Sequence, residues 1–172
     1  IDYYKVLLAE LEQRIADGVG AVDRESLRIY WEGMPVWGRL RQNSDLFAGL
    51  RTSVLASTYC SSWIFPSFDA REPIRSMAKA YLELFIVRSD AYKEQYIKDM
   101  LEKYRIDGII YHDAKTCPYN SNNRYGLPQR VEAATGIPSL VLSGDLNDLR
   151  CVSDEQTRTN IEAFVEQLLE RR

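Results

Sequence analysis

Four short runs of β-forming residues, each separated from the next by a stretch of helical periodicity, constrain this chain more than any other feature. They are residues 27–31 (LRIYW), 53–59 (SVLASTY), 107–111 (DGIIY) and 138–142 (PSLVL). The third and fourth are apolar on both faces, as a strand covered from both sides must be. Leu40, Leu46 and Phe47 mark the first intervening helix. Ile74, Met77, Ala78, Tyr81, Leu82 and Phe85 mark another, with Pro73 in its first turn. A further helix spans about 89–104, and one more runs to Thr135 with Gly136 as its cap and Pro128 either starting or kinking it.

Two helices frame this alternation. At the start, Tyr4, Leu7, Leu8, Leu11 and Ile15 recur at helical spacing before Gly18, an apolar stripe that needs a partner. At the end, Ser153 and Gln156 form a capping box before a face of Ile161, Phe164, Val165, Leu168 and Leu169. Strands joined through helices pair in parallel by right-handed crossovers. The expected fold is therefore α/β: a doubly wound, mostly parallel four-stranded sheet with helices on both faces.

Length and charge narrow the function classes. A chain of 172 residues with 45% apolar content sustains one core, so residues 1–172 read as a single domain. The net charge of −3 and the dispersed Lys and Arg give no basic surface for nucleic acid or an acidic membrane. No apolar run approaches the roughly 18 residues of a membrane span, and no signal peptide is evident, so a cytoplasmic location is expected. The chain opens on Ile1, directly in a helical pattern, which reads as a piece of something longer. Cys60, Cys117 and Cys151 are an odd number at wide spacing without C-x-x-C, which indicates neither a disulfide framework nor a self-contained zinc site.

In open parallel sheets ligands bind beyond the carboxyl ends of the strands. Strand one runs into Glu32-Gly33-Met34-Pro35, strand two into Tyr59-Cys60, strand three into residues 112–122, and strand four into Gly144-Asp145. Cys117 lies where a strand hands over to a helix, where backbone N–H groups and the helix dipole favour a thiolate able to ligate iron or attack an electrophile. The alternative is a small loop cysteine. His112 is a candidate proton carrier or orienting group, or a strand-end histidine bonded to a carbonyl. Glu32 and Asp145 are candidate bases or substrate contacts, or simply caps and loop hydrogen bonds. Asn120, with Ser121, Asn122 and Asn123, either holds a charged group or caps the next helix. Tyr59 enters on its strand-end position, while Cys151 reads as structural. There is neither a G-x-x-x-x-G-K-[ST] phosphate loop nor a G-x-G-x-x-G turn.

The runs DGIIYHDAKTCPYNSNNRYGLPQR (107–130), GIPSLVLSGDLNDLR (136–150) and SDEQTRTNIEAFVEQL (153–168) resemble the carboxyl-terminal half of the 2-hydroxyacyl-CoA dehydratase and benzoyl-CoA reductase subunit family. RIYWEGMPVWGRLR (28–41) and VLASTYCSSW (54–63) fit the same half at matching distances. The likeness is sharpest from Asp107 onward and weaker before Arg88. KTCPYNSNNRYGLPQR leans toward the benzoyl-CoA reductase branch.

The resemblance implies a carboxyl-terminal lobe of a two-lobe subunit in which three cysteines hold a [4Fe-4S] cluster near the cleft. Cys117 matches the ligand that this lobe supplies. His112 and Asn120 enter as its neighbours and Glu32, Tyr59 and Asp145 from their strand-end positions alone, with His112 and Glu32 as catalytic candidates and Asn120, Tyr59 and Asp145 as cofactor-side candidates. The resemblance further implies an acyl-CoA substrate, a homologous second subunit, and a separate ATP-dependent iron–sulfur activator that delivers one electron to form a ketyl radical anion. Neither Cys60 nor Cys151 matches the two remaining ligands, so this chain by itself is expected to be inactive. Two other readings stay open: an electron-relay or assembly subunit without catalysis, and an unrelated flavodoxin-like hydrolase or ligand-binding domain using His112 and Asp145.

Overall fold

The computed structural model describes residues 1–61, 63–64, 68–84, 88–118 and 125–172. Four strands, β1 (Leu27–Glu32), β2 (Thr52–Ser57), β3 (Gly108–Ala114) and β4 (Ser139–Gly144), form one sheet in the order β2-β1-β3-β4. Every pairing is parallel. The helices are α1 (Asp2–Ala16), α2 (Leu40–Gly49), the single turn α3 (Thr58–Ser61), α4 (Pro73–Leu82), α5 (Asp90–Tyr104), α6 (Leu127–Thr135) and α7 (Asp154–Glu170), with short 3-10 turns at Trp37–Arg39 and Leu149–Cys151.

The alternation of side chains along the strands splits the core in two. Leu27, Ile29 and Trp31 of β1, Ile110 of β3 and Leu142 of β4 meet Phe47 of α2 and Ile161, Phe164, Val165 and Leu168 of α7. On the other face Tyr30, Ile109 and Tyr111 meet Ile97 and Leu101 of α5 and Leu127 and Val131 of α6. Helices thus cover both faces, as expected. The central strand β3 is buried at all seven positions, whereas edge strand β2 leaves Val54 and Leu55 exposed. Asp107 pins the start of β3 to β1: its carboxylate accepts the Arg28 N–H at 2.8 Å, and its own N–H reaches the Arg28 carbonyl at 2.8 Å.

Several sequence expectations need correcting. The second strand stops at Ser57, because Thr58 and Tyr59 belong to the turn α3. The third continues to Ala114, so His112 lies inside the strand rather than at its end. Pro128 stands in the first turn of α6 and starts that helix rather than kinking it, and Gly136 caps it at φ 72°. Leu169 is 46% exposed, since it falls on the solvent side of α7. The apolar stripes of α1 and α4 stay outside the core: α1 buries no residue, and Ile74, Met77 and Tyr81 of α4 are exposed.

The strand order carries the functional consequence. From β1 the chain moves outward to β2, then returns past β1 to add β3 and β4 on the other side. The carboxyl ends of β1 and β3 therefore flank the switch point, where flanking loops diverge and leave a crevice.

Candidate functional site

At the end of β1, on the face covered by α5 and α6, a carboxylate is buried in a hydroxyl relay. Glu32 is 2% exposed and its Oε2 accepts from the Thr58 hydroxyl. With that proton committed, Thr58 Oγ1 accepts from Tyr30 Oη at 2.5 Å, giving a directed chain Tyr30 to Thr58 to Glu32. Burial, reinforced by the negative charge of Glu32, raises the Tyr30 pKa well above its usual value, so the phenol stays a donor. Tyr111 is the register partner of Glu32 and shares its face. Its hydroxyl is buried without a hydrogen-bond partner among the described residues, and burial with Glu32 nearby raises its pKa too.

Beside this relay stands an aromatic ladder. Tyr59 packs edge-on against Trp37 at 5.8 Å and against Trp63 at 6.1 Å, joining the loops that follow β1 and β2. Trp63, Ile64 and Phe68 remain exposed and give this edge an apolar rim. Cys60 is exposed, and its N–H is held by Ser57 Oγ at 3.0 Å.

Cys117 follows β3 after one tight turn, its N–H bonded to the Ala114 carbonyl at 3.2 Å, and is neither buried nor fully exposed. The turn is fastened from β4. The Lys115 N–H reaches the Gly144 carbonyl at 2.9 Å, and Asp145 Oδ2 accepts from the Thr116 N–H at 2.9 Å and the Thr116 hydroxyl at 2.6 Å. The other carboxylate oxygen accepts from the N–H groups of Asn147 at 3.2 Å and Asp148 at 3.1 Å. These donors, the Thr116 hydroxyl foremost, hold the Asp145 carboxyl well below the usual carboxylate range. An ionised, fully coordinated carboxylate thus anchors the residue next to Cys117. Cys151, read from sequence as structural, is exposed in its 3-10 turn.

His112 lies elsewhere. Side chains alternate along β3, so it points to the face of α2 and α7, away from Glu32. It is 3% exposed, lies 6.0 Å from the Trp31 ring, and its Nδ1 is 2.5 Å from the Met34 carbonyl. A carbonyl only accepts, so Nδ1 carries the proton. Burial lowers the His112 pKa, against the opposing pull of that hydrogen bond and of Asp113 and Asp145. Asn120 lies outside the described residues.

The structure therefore joins Glu32 and Tyr59 through neighbouring residues of α3, joins Asp145 to the Cys117 turn, and sets His112 on the opposite face of β3 from Glu32, with Asp145 near enough to act on its pKa. Tyr30, Thr58 and Thr116 were not singled out from sequence. Thr58 was legible only once β2 was known to end before it. Among the described residues no three His, Cys, Asp or Glu side chains gather as a metal site.

A doubly wound parallel α/β fold with a thiol and two buried carboxylates around its strand ends is the class these observations define. Residues 1–168 match the family model described as 2-hydroxyglutaryl-CoA dehydratase, D-component, and the chain belongs to that family. It is 28% identical over 167 residues to the lactoyl-CoA dehydratase alpha subunit of Anaerotignum propionicum, covering 96% of this chain and 39% of the relative. It is 28% identical over 170 residues to the (R)-2-hydroxyisocaproyl-CoA dehydratase alpha subunit of Clostridioides difficile, covering 98% of this chain and 41% of the relative. Against a benzoyl-CoA reductase subunit of Thauera aromatica the identity is 24% over 182 residues, covering 100% and 42%. The chain spans about two fifths of the length of these relatives.

Proposed function

We propose that residues 1–172 form the carboxyl-terminal lobe of a cytoplasmic acyl-CoA dehydratase or reductase subunit, and that Cys117 supplies one thiolate to a [4Fe-4S] cluster in its cleft. The observation that carries this reading is the position of Cys117: a partly accessible thiol on the carboxyl edge, in a turn fastened from β4. The family match over residues 1–168 supports it.

The donor set fits one corner of such a centre and no more. A cluster of this kind takes several thiolates, and among the described residues no three ligating side chains converge. In this reading the remaining thiolates come from outside residues 1–172. When bound, such a cluster would supply low-potential one-electron chemistry for an acyl-CoA thioester, with an ATP-dependent iron–sulfur activator as the electron donor.

The chain's own residues have separate tasks. Asp145 orients the Thr116–Cys117 turn. Glu32, held by Thr58, is a buried acceptor that can take a proton at the switch point. Tyr59, Trp37 and Trp63 line the edge with apolar surface. A homologous second subunit is the expected partner, and in this reading the lobe alone is inactive because one thiolate does not hold a cluster.

The test is Cys117→Ser in the subunit-length protein, purified and reconstituted anaerobically with iron and sulfide. Bound iron and the visible iron–sulfur absorbance should fall sharply while circular dichroism is unchanged. Unaltered iron content and activity would show that the thiol is idle and end this reading.

A further inference from the structure

The hydroxyl relay behind Glu32 has a closed end. Tyr30 is fully buried on the face covered by α5 and α6, and its hydroxyl meets Thr58 Oγ1 at 2.5 Å with no other hydrogen-bond partner among the described residues. A phenol carries one proton, and burial keeps it there by raising the Tyr30 pKa. That proton therefore goes to Thr58, and the single Thr58 hydrogen goes on to Glu32 Oε2. Reversing the relay would aim the Thr58 hydrogen at the phenol oxygen and leave the Tyr30 proton buried without an acceptor, which is costly.

The fixed direction acts on the two oxygens of Glu32 differently. Oε2 receives the Thr58 hydrogen, so a proton placed on it would set two hydrogens face to face. A proton on Oε1 avoids that clash but leaves Oε2 a neutral acceptor, which holds the hydrogen bond less strongly than a carboxylate does. Both protonated forms are penalised relative to the anion, in opposition to the burial that favours them. Around the carboxylate stand Tyr111 of β3 and Tyr96 of α5, with Glu94 of α5 and Arg130 and Glu132 of α6 near Tyr111. Burial raises the pKa of both phenols, so neither loses its proton while the carboxylate titrates.

We infer that Tyr30 is a positioning residue for Glu32: it fixes the direction of the relay, which holds the carboxylate as the anion and assigns an incoming proton to Oε1. The inference rests on the reading of Glu32 as a proton acceptor at the switch point. It gives Tyr30, which lies too deep to meet a substrate, a task in setting when that acceptor is ready.

The test is a carbon-13 titration of the 172-residue chain labelled at the glutamate carboxyl, with the Glu32 signal identified by its loss in Glu32→Gln. The unaltered chain should show an ionised Glu32 at neutral pH. Tyr30→Phe, which removes the terminal proton and keeps the ring, should raise the Glu32 midpoint by about 0.5 pH unit, and Thr58→Val by about 1 pH unit. Thr58→Val serves if Tyr30→Phe does not fold. Adding Tyr30→Phe to Thr58→Val should bring no further rise, because the link between the two groups is already cut. Tyr111→Phe, which removes a buried hydroxyl outside the relay, should leave the midpoint in place. A Glu32 protonated at neutral pH in the unaltered chain, a midpoint indifferent to the folded relay variants, a further rise in the double variant, or an equal rise from Tyr111→Phe would overturn the inference. The titration involves no iron, so its failure is distinct from a failure of the Cys117→Ser test.

Discussion

At the scale of single residues, the most consequential side chain on the carboxyl edge is one that touches no proposed ligand. Asp145 accepts four hydrogen bonds, two of them from Thr116, and so sets the turn that carries Cys117. Asp145→Asn turns one acceptor into a donor facing N–H groups. The loosened turn should raise the alkylation rate of Cys117 above that of the unaltered chain; equal rates would show that the turn holds without the carboxylate. The same carboxyl makes stability depend on pH. Its folded pKa lies below the ordinary value near 3.9, so its contribution is complete above the unfolded value and is lost as pH falls below about 4. His112, also depressed, acts in the same direction at higher pH, as the solution falls below about 6.5. Urea midpoints measured from pH 8 to 3 should fall in both windows, and Asp145→Asn should make the lower fall shallower while leaving the upper one in place.

Elements are held by the closeness with which helices approach the sheet. Gly108 opens β3 directly under α7: a Cβ there would lie 2.7 Å from Leu168 Cδ1 and 2.9 Å from Phe164 Cζ. These contacts belong to core side chains that sit 3% and 4% exposed, with little freedom to withdraw. Gly108→Ala should therefore destabilise the chain by about 1–3 kcal/mol, the cost of overpacking a filled core, read as a lower urea midpoint at unchanged slope. A neutral result would mean that α7 slides outward without penalty. Gly33 makes a comparable approach on the other side of the switch point. At φ 95° it brings the backbone so near β3 that a Cβ would meet the His112 carbonyl at 3.0 Å.

Considered as a whole, the molecule is unevenly finished. Helices cover the centre of the sheet on both faces, yet α1 presents Leu8 at 57% and Leu11 at 48% exposure, and α4 and the aromatic rim leave further apolar side chains uncovered. Hydrophobic side chains stabilise only where they leave water. Leu8→Ser with Leu11→Ser should shift the unfolding free energy of this chain by no more than about 0.5 kcal/mol, whereas Leu101→Ala should cost about 2–5 kcal/mol. Chemical denaturation of the two variants checks this contrast. A large loss from the α1 pair would mean that the helix packs on the lobe after all.

The sequence by itself determined the parallel α/β class, the four strands, most helix starts and stops, and the loops in which Cys117 and Asp145 stand. These follow from local chemistry: periodicity, caps, and the need of buried backbone for regular pairing. The alternation of strand faces was equally local, but its use needed strand ends correct to a residue. One misjudged terminus placed His112 with the loop residues, whereas three further residues of β3 bury it on the other face. The strand order, and with it the switch point between β1 and β3, came only from tertiary structure. So did the pairing of Thr58 with Glu32 and of Thr116 with Asp145, partners 26 and 29 positions apart. Which distant segments meet is decided by how whole layers pack, and no local pattern carries that information.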